Sequence, residues 1–333
     1  MSAAGAILAL ETSCDDTCAA VVTREGEIRS NVVSSQGVHD RYGGVVPEIA
    51  ARHHLELATP VVEDALARAD ATLDDVGLVA VTQGPGLVGA LLVGLATAKG
   101  LAAARGLPLA GVDHLQGHVA ANYLGPEPFE PPFLCLVASG GHTFLARVTR
   151  HDGFEVLGRT LDDAAGEAID KGARLLGLPF PGGPALERLG AEGDAGAFAF
   201  PTATRVPGLD FSFAGLKTAL LYTVRELGEG AAAERRADLA ASYQHAVVEA
   251  LALRVERGLG ATGLRRLAIG GGVAANGPLR ERMAGLGVEL RVPPRELCTD
   301  NAAMIASAAR WATPLRGEAA FSLDAYATGQ RGL

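Results

Sequence analysis

The chain has 333 residues, 48% of them hydrophobic and 20% charged, with a formal net charge of −9. That is enough apolar material for two separate cores and too much for a disordered chain. The acidic balance argues against a broad basic face that would hold nucleic acid unaided, so such a partner needs a local patch or a helper protein. The first dozen residues carry no basic stretch of the kind that opens a signal peptide. The longest apolar run, 86–98, falls short of the roughly 20 residues that span a bilayer, so a cytoplasmic protein with no membrane partner is expected. Cys14, Cys18, Cys135 and Cys298 fit neither a disulfide framework nor a C-x-x-C metal pattern and read as reduced thiols. Only three of the 29 basic residues are Lys, and two of them, Lys171 and Lys217, fall inside motif-like segments.

In chain order, 6–22 reads as an apolar strand, a turn of small and hydroxyl residues, and a second apolar strand, with a third strand over 27–34. Two amphipathic helices, 47–58 and 61–69, are expected to break near Pro60. A buried strand at 78–82 turns at Gly84-Pro85-Gly86 into a small-residue helix, 88–105, and a strand at 107–112 leads into a helix bearing His114 and His118. The Pro-rich stretch 126–132 suits a lobe boundary, which puts lobes at 1–128 and 129–333, with a return of the final helix to the first lobe as the alternative. The segment 133–148 then repeats the strand–turn–strand of 6–22. A turn that exposes backbone N–H groups is a phosphate-sized cradle, so two such cradles are expected. Helix 163–176, a loop-rich 179–209, helices 215–227 and 233–258 joined by a solvated bend at 226–236, strand 264–269 and helix 278–284 follow. Three strands and then alternating helices and strands, twice over, predict two duplicated RNase H-like α/β lobes with a nucleotide in a central cleft.

His114 and His118 stand at i and i+4, on one face of a helix, the spacing for two ligands to one metal. The zinc-protease reading fails because the residue after the first His is Leu115 rather than Glu. Asp300 is an isolated acid before an apolar helix and reads either as a third ligand or as an N-cap. Asp163, Glu167, Asp170 and Arg174 form a polar stripe that is either a wet surface or a ribose-binding face. Gly270-Gly271-Gly272, before a helix opening at Asn276-Gly277-Pro278, lets a ligand approach the backbone.

The segments ETSCDDT at 11–17, GGVVPE at 43–48, HLQGH at 114–118, SGGHT at 139–143, DDAAGEAIDK at 162–171, PGGP at 181–184, DFSFAGLKTA at 210–219, GGGVAAN at 270–276 and CTDNAAMIA at 298–306 resemble the TsaD family. These are the tRNA N6-adenosine threonylcarbamoyltransferases. The resemblance implies the fold of the actin-like ATPase and sugar-kinase superfamily. It also implies transfer of threonylcarbamoyl from threonylcarbamoyl-AMP to the N6 amine of adenosine 37 in tRNAs that read codons beginning with adenine. Carried over by position, His114, His118 and Asp300 match the metal ligands. Val137, Ala138, Ser139, Gly140, Gly141, Asp170, Gly183, Glu187 and Asn276 match adenylate-binding positions. Glu11, Asp15 and Asp16 are candidates for a base or for positioning water and metal, although an Asp in a tight turn is as readily a turn former. Two departures are Gln116, where Glu is expected between the histidines, and Ala138, where the pattern is commonly LVSGG.

The implied cofactor is one divalent metal ion per subunit, Fe2+ by resemblance, with Zn2+ or Mg2+ as alternatives. The implied partners are tRNA, a paralogous TsaB subunit and the ATPase TsaE, with a homodimer as an alternative for the isolated chain. Helices 88–105 and 61–69 are the expected packing surface for the paralogue, with Gly94 and Ala98 on it. An ATPase or small-molecule kinase on the same fold, a metallopeptidase and a non-catalytic scaffold stay as rival readings at this point.

Overall fold

The computed structural model describes residues 5–42, 44–204 and 206–327. Gly43, the first residue of the GGVVPE segment, lies outside the described residues. Two compact units emerge: 1–131 with 150–154 and 300–333, and 132–149 with 155–299.

The first unit is built on a five-stranded mixed sheet. Its strands are β1 (Ala6–Glu11), β2 (Asp16–Val22), β3 (Ile28–Ser35), β4 (Val76–Gly84) and β5 (Leu109–Asp113), in the order β3-β2-β1-β4-β5. β2 is antiparallel to β1 and β3, while β4 runs parallel to both β1 and β5. All six residues of β1 are buried, as are most of β4. That continuous apolar pattern marks strands covered on both faces. Between the strands run α1 (Pro47–Arg68), α2 (Val88–Arg105) and α3 (His114–Ala120).

The second unit repeats the arrangement with β6 (Phe133–Ala138), β7 (Thr143–Arg150), β8 (Gly153–Arg159), α4 (Ala165–Leu175), α5 (Gly182–Gly190), α6 (Ala214–Glu234), α7 (Arg236–Thr262), β9 (Arg266–Gly270), α8 (Gly277–Ala284), β10 (Glu289–Arg291) and α9 (Arg295–Cys298). Its sheet order is β10-β9-β6-β7-β8. Counted from β8 this is the first sheet's order over again: hairpin, central strand, then two crossover strands. Its core gathers Leu134, Leu136 and Leu145 from the hairpin with Tyr243, Val247 and Leu251 of α7. The last helices, α10 (Ala302–Ala309) and α11 (Gly317–Phe321), count with the first unit, and all eight residues of α10 are buried.

Several elements differ from the sequence expectation. α1 runs unbroken through Pro60. The carbonyl that Pro60 cannot bond belongs to exposed Glu56 and faces water, while Ala58, Val61, Val62 and Ala65 stay buried on the core side. The expected bend at 226–236 is helical up to Glu234, broken only at Gly228 with φ of 75°. α5 occupies part of the stretch expected to be loop, and β8 and β10 are additional strands. α2 is the one helix among the described residues long and apolar enough to cross a membrane, yet Leu95, Ala98 and Ala102 belong to the first unit's core. Gly94 and Ala98 are therefore not a free packing surface: both are buried, and a Cβ on Gly94 would lie 2.3 Å from Thr12 Oγ1. The exposed residues of that helix include Val88 and Leu92.

Candidate functional site

The metal-ligand candidates all fall in the first unit. Asp113 ends β5 and caps α3, one of its carboxylate oxygens accepting from Leu115 N (2.8 Å) and Gln116 N (3.1 Å). The helix it starts carries both histidines on one side. Gly117 lets α3 close on α10, since a Cβ there would lie 2.8 Å from Ile305 Cδ1. Asp300 sits two residues before α10, and the N-cap of that helix is Asn301, whose side chain accepts from Met304 N. Of the two readings of Asp300, the capping one falls.

The three side chains converge. His118 Nε2 lies 3.3 Å and His114 Nε2 3.6 Å from Asp300 Oδ1, and the ligand atoms of the three residues lie within 4.8 Å of one another. Behind the ligands is a supporting layer. His114 Nδ1 meets Glu11 Oε2 at 3.0 Å and Ser13 Oγ at 3.2 Å. A carboxylate only accepts, so Nδ1 carries a hydrogen, and Nε2 is the ring nitrogen turned toward Asp300. Glu11 is fully buried, and Ser13 N and Thr82 Oγ1 also donate to it. Burial pushes its carboxyl up, but the facing His114 and the hydrogen bonds outweigh that and hold it below the usual range. For His114 burial pushes down, and the Asp300 and Glu11 charges reverse it to about 9.

His118 tests whether a metal suits this place. Both of its ring nitrogens are buried and neither makes a hydrogen bond, an arrangement worth roughly 1–3 kcal/mol of lost stability if nothing else satisfies them. An ion among two imidazoles and a carboxylate would supply a partner for one of these nitrogens, and two nitrogens with one oxygen is a common donor set for a catalytic ion.

Asp15 lies in the turn between β1 and β2 and Asp16 opens β2, both half-buried. The Asp16 carboxyl is pushed up to about 7, first by burial and then by the Asp300 and Asp15 charges, against a hydrogen bond with Ser35. Part of this turn is already occupied by the protein's own groups. Its Ser13 N–H is taken by Glu11, its Ser13 carbonyl by Leu87 N, and a Cβ on Gly86 would lie 2.6 Å from Ser13 O.

The adenylate-binding candidates all fall in the second unit. Val137 and Ala138 are buried at the end of β6. Ser139 closes the turn, its N–H donating to His142 O (2.8 Å) and its hydroxyl accepting from His142 N (3.1 Å). Gly140 and Gly141 are exposed, with nothing within 4 Å of where a Cβ would stand. Asp170 Oδ1 accepts from Gly182 N at 2.8 Å, capping the start of α5 from a neighbouring helix. Gly183, on that first turn of α5, is likewise nearly clear. Glu187 accepts from Asn276 Nδ2 (2.9 Å) and Gly277 N (3.2 Å), while Asn276 Oδ1 accepts from Leu279 N. Glu187 and Asn276 thus brace α5 against the start of α8, and what remains open is the backbone of the second hairpin and of α5. The resemblance to the TsaD family marked all these residues. It did not mark Ser13 and Thr82 as supports of Glu11.

The family model for TsaD, tRNA N6-adenosine threonylcarbamoyltransferase, matches residues 27–307. The enzyme of that name from Symbiobacterium thermophilum is 53% identical over 309 residues, 91% of this chain and 90% of the relative. One from Clostridium botulinum is 50% identical over 91% of each chain. Among solved structures, HypF of T. kodakarensis superposes with a TM-score of 0.61 at 15% identity, over 91% of this chain and 47% of that one. Component A of the (R)-2-hydroxyglutaryl-CoA dehydratase of Acidaminococcus fermentans gives 0.57 at 15% identity, over 92% and 97%. These likenesses show a shared fold, the duplicated α/β architecture. Sequence identity of about one half along nine-tenths of its length decides the rest: the chain belongs to the TsaD family, the tRNA N6-adenosine threonylcarbamoyltransferases.

Proposed function

We propose that this chain transfers the threonylcarbamoyl group from threonylcarbamoyl-AMP to N6 of adenosine 37 in tRNA, with a metal held by His114, His118 and Asp300 and the adenylate held by the second unit. The observation that carries the metal assignment is His118, a buried imidazole with neither nitrogen hydrogen-bonded, beside a second imidazole and a carboxylate. A bound ion would supply Lewis acidity toward the carbamoyl oxygen and a fixed point for the threonyl end. Two nitrogens and one oxygen favour Fe2+ or Zn2+ over Mg2+, which prefers oxygen throughout.

The chain's own residues do the remainder. In the reaction a bond forms from N6 to the carbamoyl carbon, the bond from that carbon to the phosphate oxygen breaks, AMP leaves, and N6 loses a proton. N6 of a purine is a weak nucleophile, so position matters more than nucleophile strength. Glu11 and Ser13 hold the His114 ring so that Nε2 points at Asp300. This makes Glu11 a positioning residue rather than the base. Asp15 and Asp16 stay as candidates for the proton acceptor, Asp16 the stronger since its carboxyl is poised near neutrality. In the second unit, the open Gly140-Gly141 backbone and the first turn of α5 offer N–H groups to the phosphate, with Ser139 and Asp170 keeping both turns in shape.

A chain of net charge −9 gains tRNA affinity by joining other subunits. The reading therefore includes assembly with a TsaB-type paralogue and a TsaE-type ATPase in the cytoplasm. The test is mass spectrometry of nucleosides from unmodified tRNA incubated with synthetic threonylcarbamoyl-AMP, these partners and the chain. Threonylcarbamoyladenosine is expected with the wild type and absent with His118→Ala. Undiminished product from His118→Ala would overturn the metal's part in the reaction.

A further inference from the structure

After α11 the chain runs on without regular structure across the ends of β4 and β5 in the same unit. Tyr326 N donates to Gln83 O at 3.2 Å, and Gln83 Nε2 donates back to Asp324 O at 2.7 Å. Two glycines make room for this segment. A Cβ on Gly84 would lie 2.3 Å from Tyr326 O, and one on Gly111 would lie 2.9 Å from Leu323 Cδ2. Tyr326 is 7% exposed, and its hydroxyl donates to Asp113 Oδ2.

Asp113 thus works with both oxygens. Oδ1 caps α3 through Leu115 N and Gln116 N, and Oδ2 is gripped by a side chain 213 positions further along. α3 has only seven residues, too few to hold a helical register by its own hydrogen bonds. Both of its histidines are needed at once on Asp300. The angle at which they arrive is set by the cap, and the cap's carboxylate is set by Tyr326.

We propose that Tyr326 is a positioning residue for the metal site, and that residues 323–326 form a clasp that fixes α3 through Asp113. This rests on the reading of His114, His118 and Asp300 as metal ligands. Tyr326→Phe removes only the hydroxyl and leaves the ring packed on Gly84. Residues bonded directly to metal ligands change metal affinity by about 10- to 100-fold when altered, and one step further out the expected loss is about 3- to 10-fold.

The experiment is Zn2+ binding to the full chain by competition with a chromophoric chelator, for wild type, Tyr326→Phe, Asp113→Ser, the double variant and His118→Ala. Ser keeps a good helix cap but is too short to reach Tyr326. Tyr326→Phe and Asp113→Ser should each weaken Zn2+ binding, and the double variant should be no weaker than Asp113→Ser alone, because the two changes break one contact. Wild-type affinity in Tyr326→Phe, or a loss that adds fully in the double variant, overturns the clasp. His118→Ala separates the two readings. If it binds Zn2+ like the wild type, the ligand assignment itself fails; if it loses Zn2+ while Tyr326→Phe does not, only the clasp fails.

Discussion

The two units share one sheet order, and each opens with a strand, a turn of small residues and an antiparallel strand, yet the two turns do opposite things. In the first, Glu11 folds back onto Ser13 N, Thr12 donates to Ala90 O, and Gly86 and Gly94 are pressed against Ser13 and Thr12. In the second, Ser139 closes a tight turn and leaves Gly140 and Gly141 facing open space. A duplicated fold has kept its topology and divided its labour. One hairpin has filled the space at its turn with a buried carboxylate that orients His114, and the other has left its backbone bare.

The largest effect that would sharpen this contrast comes from Glu11→Gln. The amide keeps the shape but turns an NH2 toward groups that must donate, so the His114 ring loses its anchor. Metal affinity should fall by about 10- to 100-fold, read by chelator competition, with AMP binding unchanged. Equal metal affinity would mean that the buried carboxylate plays no part in the site.

A smaller effect compares glycines. Gly86→Ala should destabilise the chain by about 1–3 kcal/mol, because its Cβ would meet the Ser13 backbone, whereas Gly141→Ala should leave thermal melting unchanged. Similar melting of the two variants would erase the distinction between a filled and an open hairpin.

The smallest effect is electrostatic. The Asp16 carboxyl is pushed up to about 7 from its ordinary value near 3.8, so its contribution to stability is fully present below that ordinary value and is lost as pH rises through 7. Asp16→Asn carries no such loss. Its melting temperature relative to wild type should therefore increase between pH 5 and pH 8, by an amount well below the roughly 3 kcal/mol that two pH units would give, because half-buried Asp16 is partly screened by solvent. A flat difference over that range would show that the turn does not desolvate Asp16.

Much of this was legible in the sequence because it depends on short-range periodicity. The i, i+4 spacing of His114 and His118, the paired apolar hairpins and the glycine turns all report local geometry. What was not legible depends on distant contacts. Glu11 looks like any turn acid until β4 brings Thr82 and α3 brings His114 against it. Asp300 and Asn301 are equally good caps by composition, and only the packing of α10 selects Asn301. Pro60 signals a break, but core burial on the opposite face carries the helix through. The helix over 88–105 has small residues all round, so its pattern does not say which face is inside; Thr12 against Gly94 does. Tyr326 stands in a stretch with no periodicity, and its partner Asp113 lies more than two hundred residues away.

The division of labour between the hairpins is tested most directly by two variants and two readouts. His118→Ala and Gly141→Val are each measured for bound metal by plasma mass spectrometry and for AMP affinity by calorimetry. The account predicts that His118→Ala loses the metal and keeps AMP, and that Gly141→Val keeps the metal and loses AMP affinity by about 10-fold, near 1.4 kcal/mol. Loss of both ligands in both variants, or retention of both in either, would contradict it.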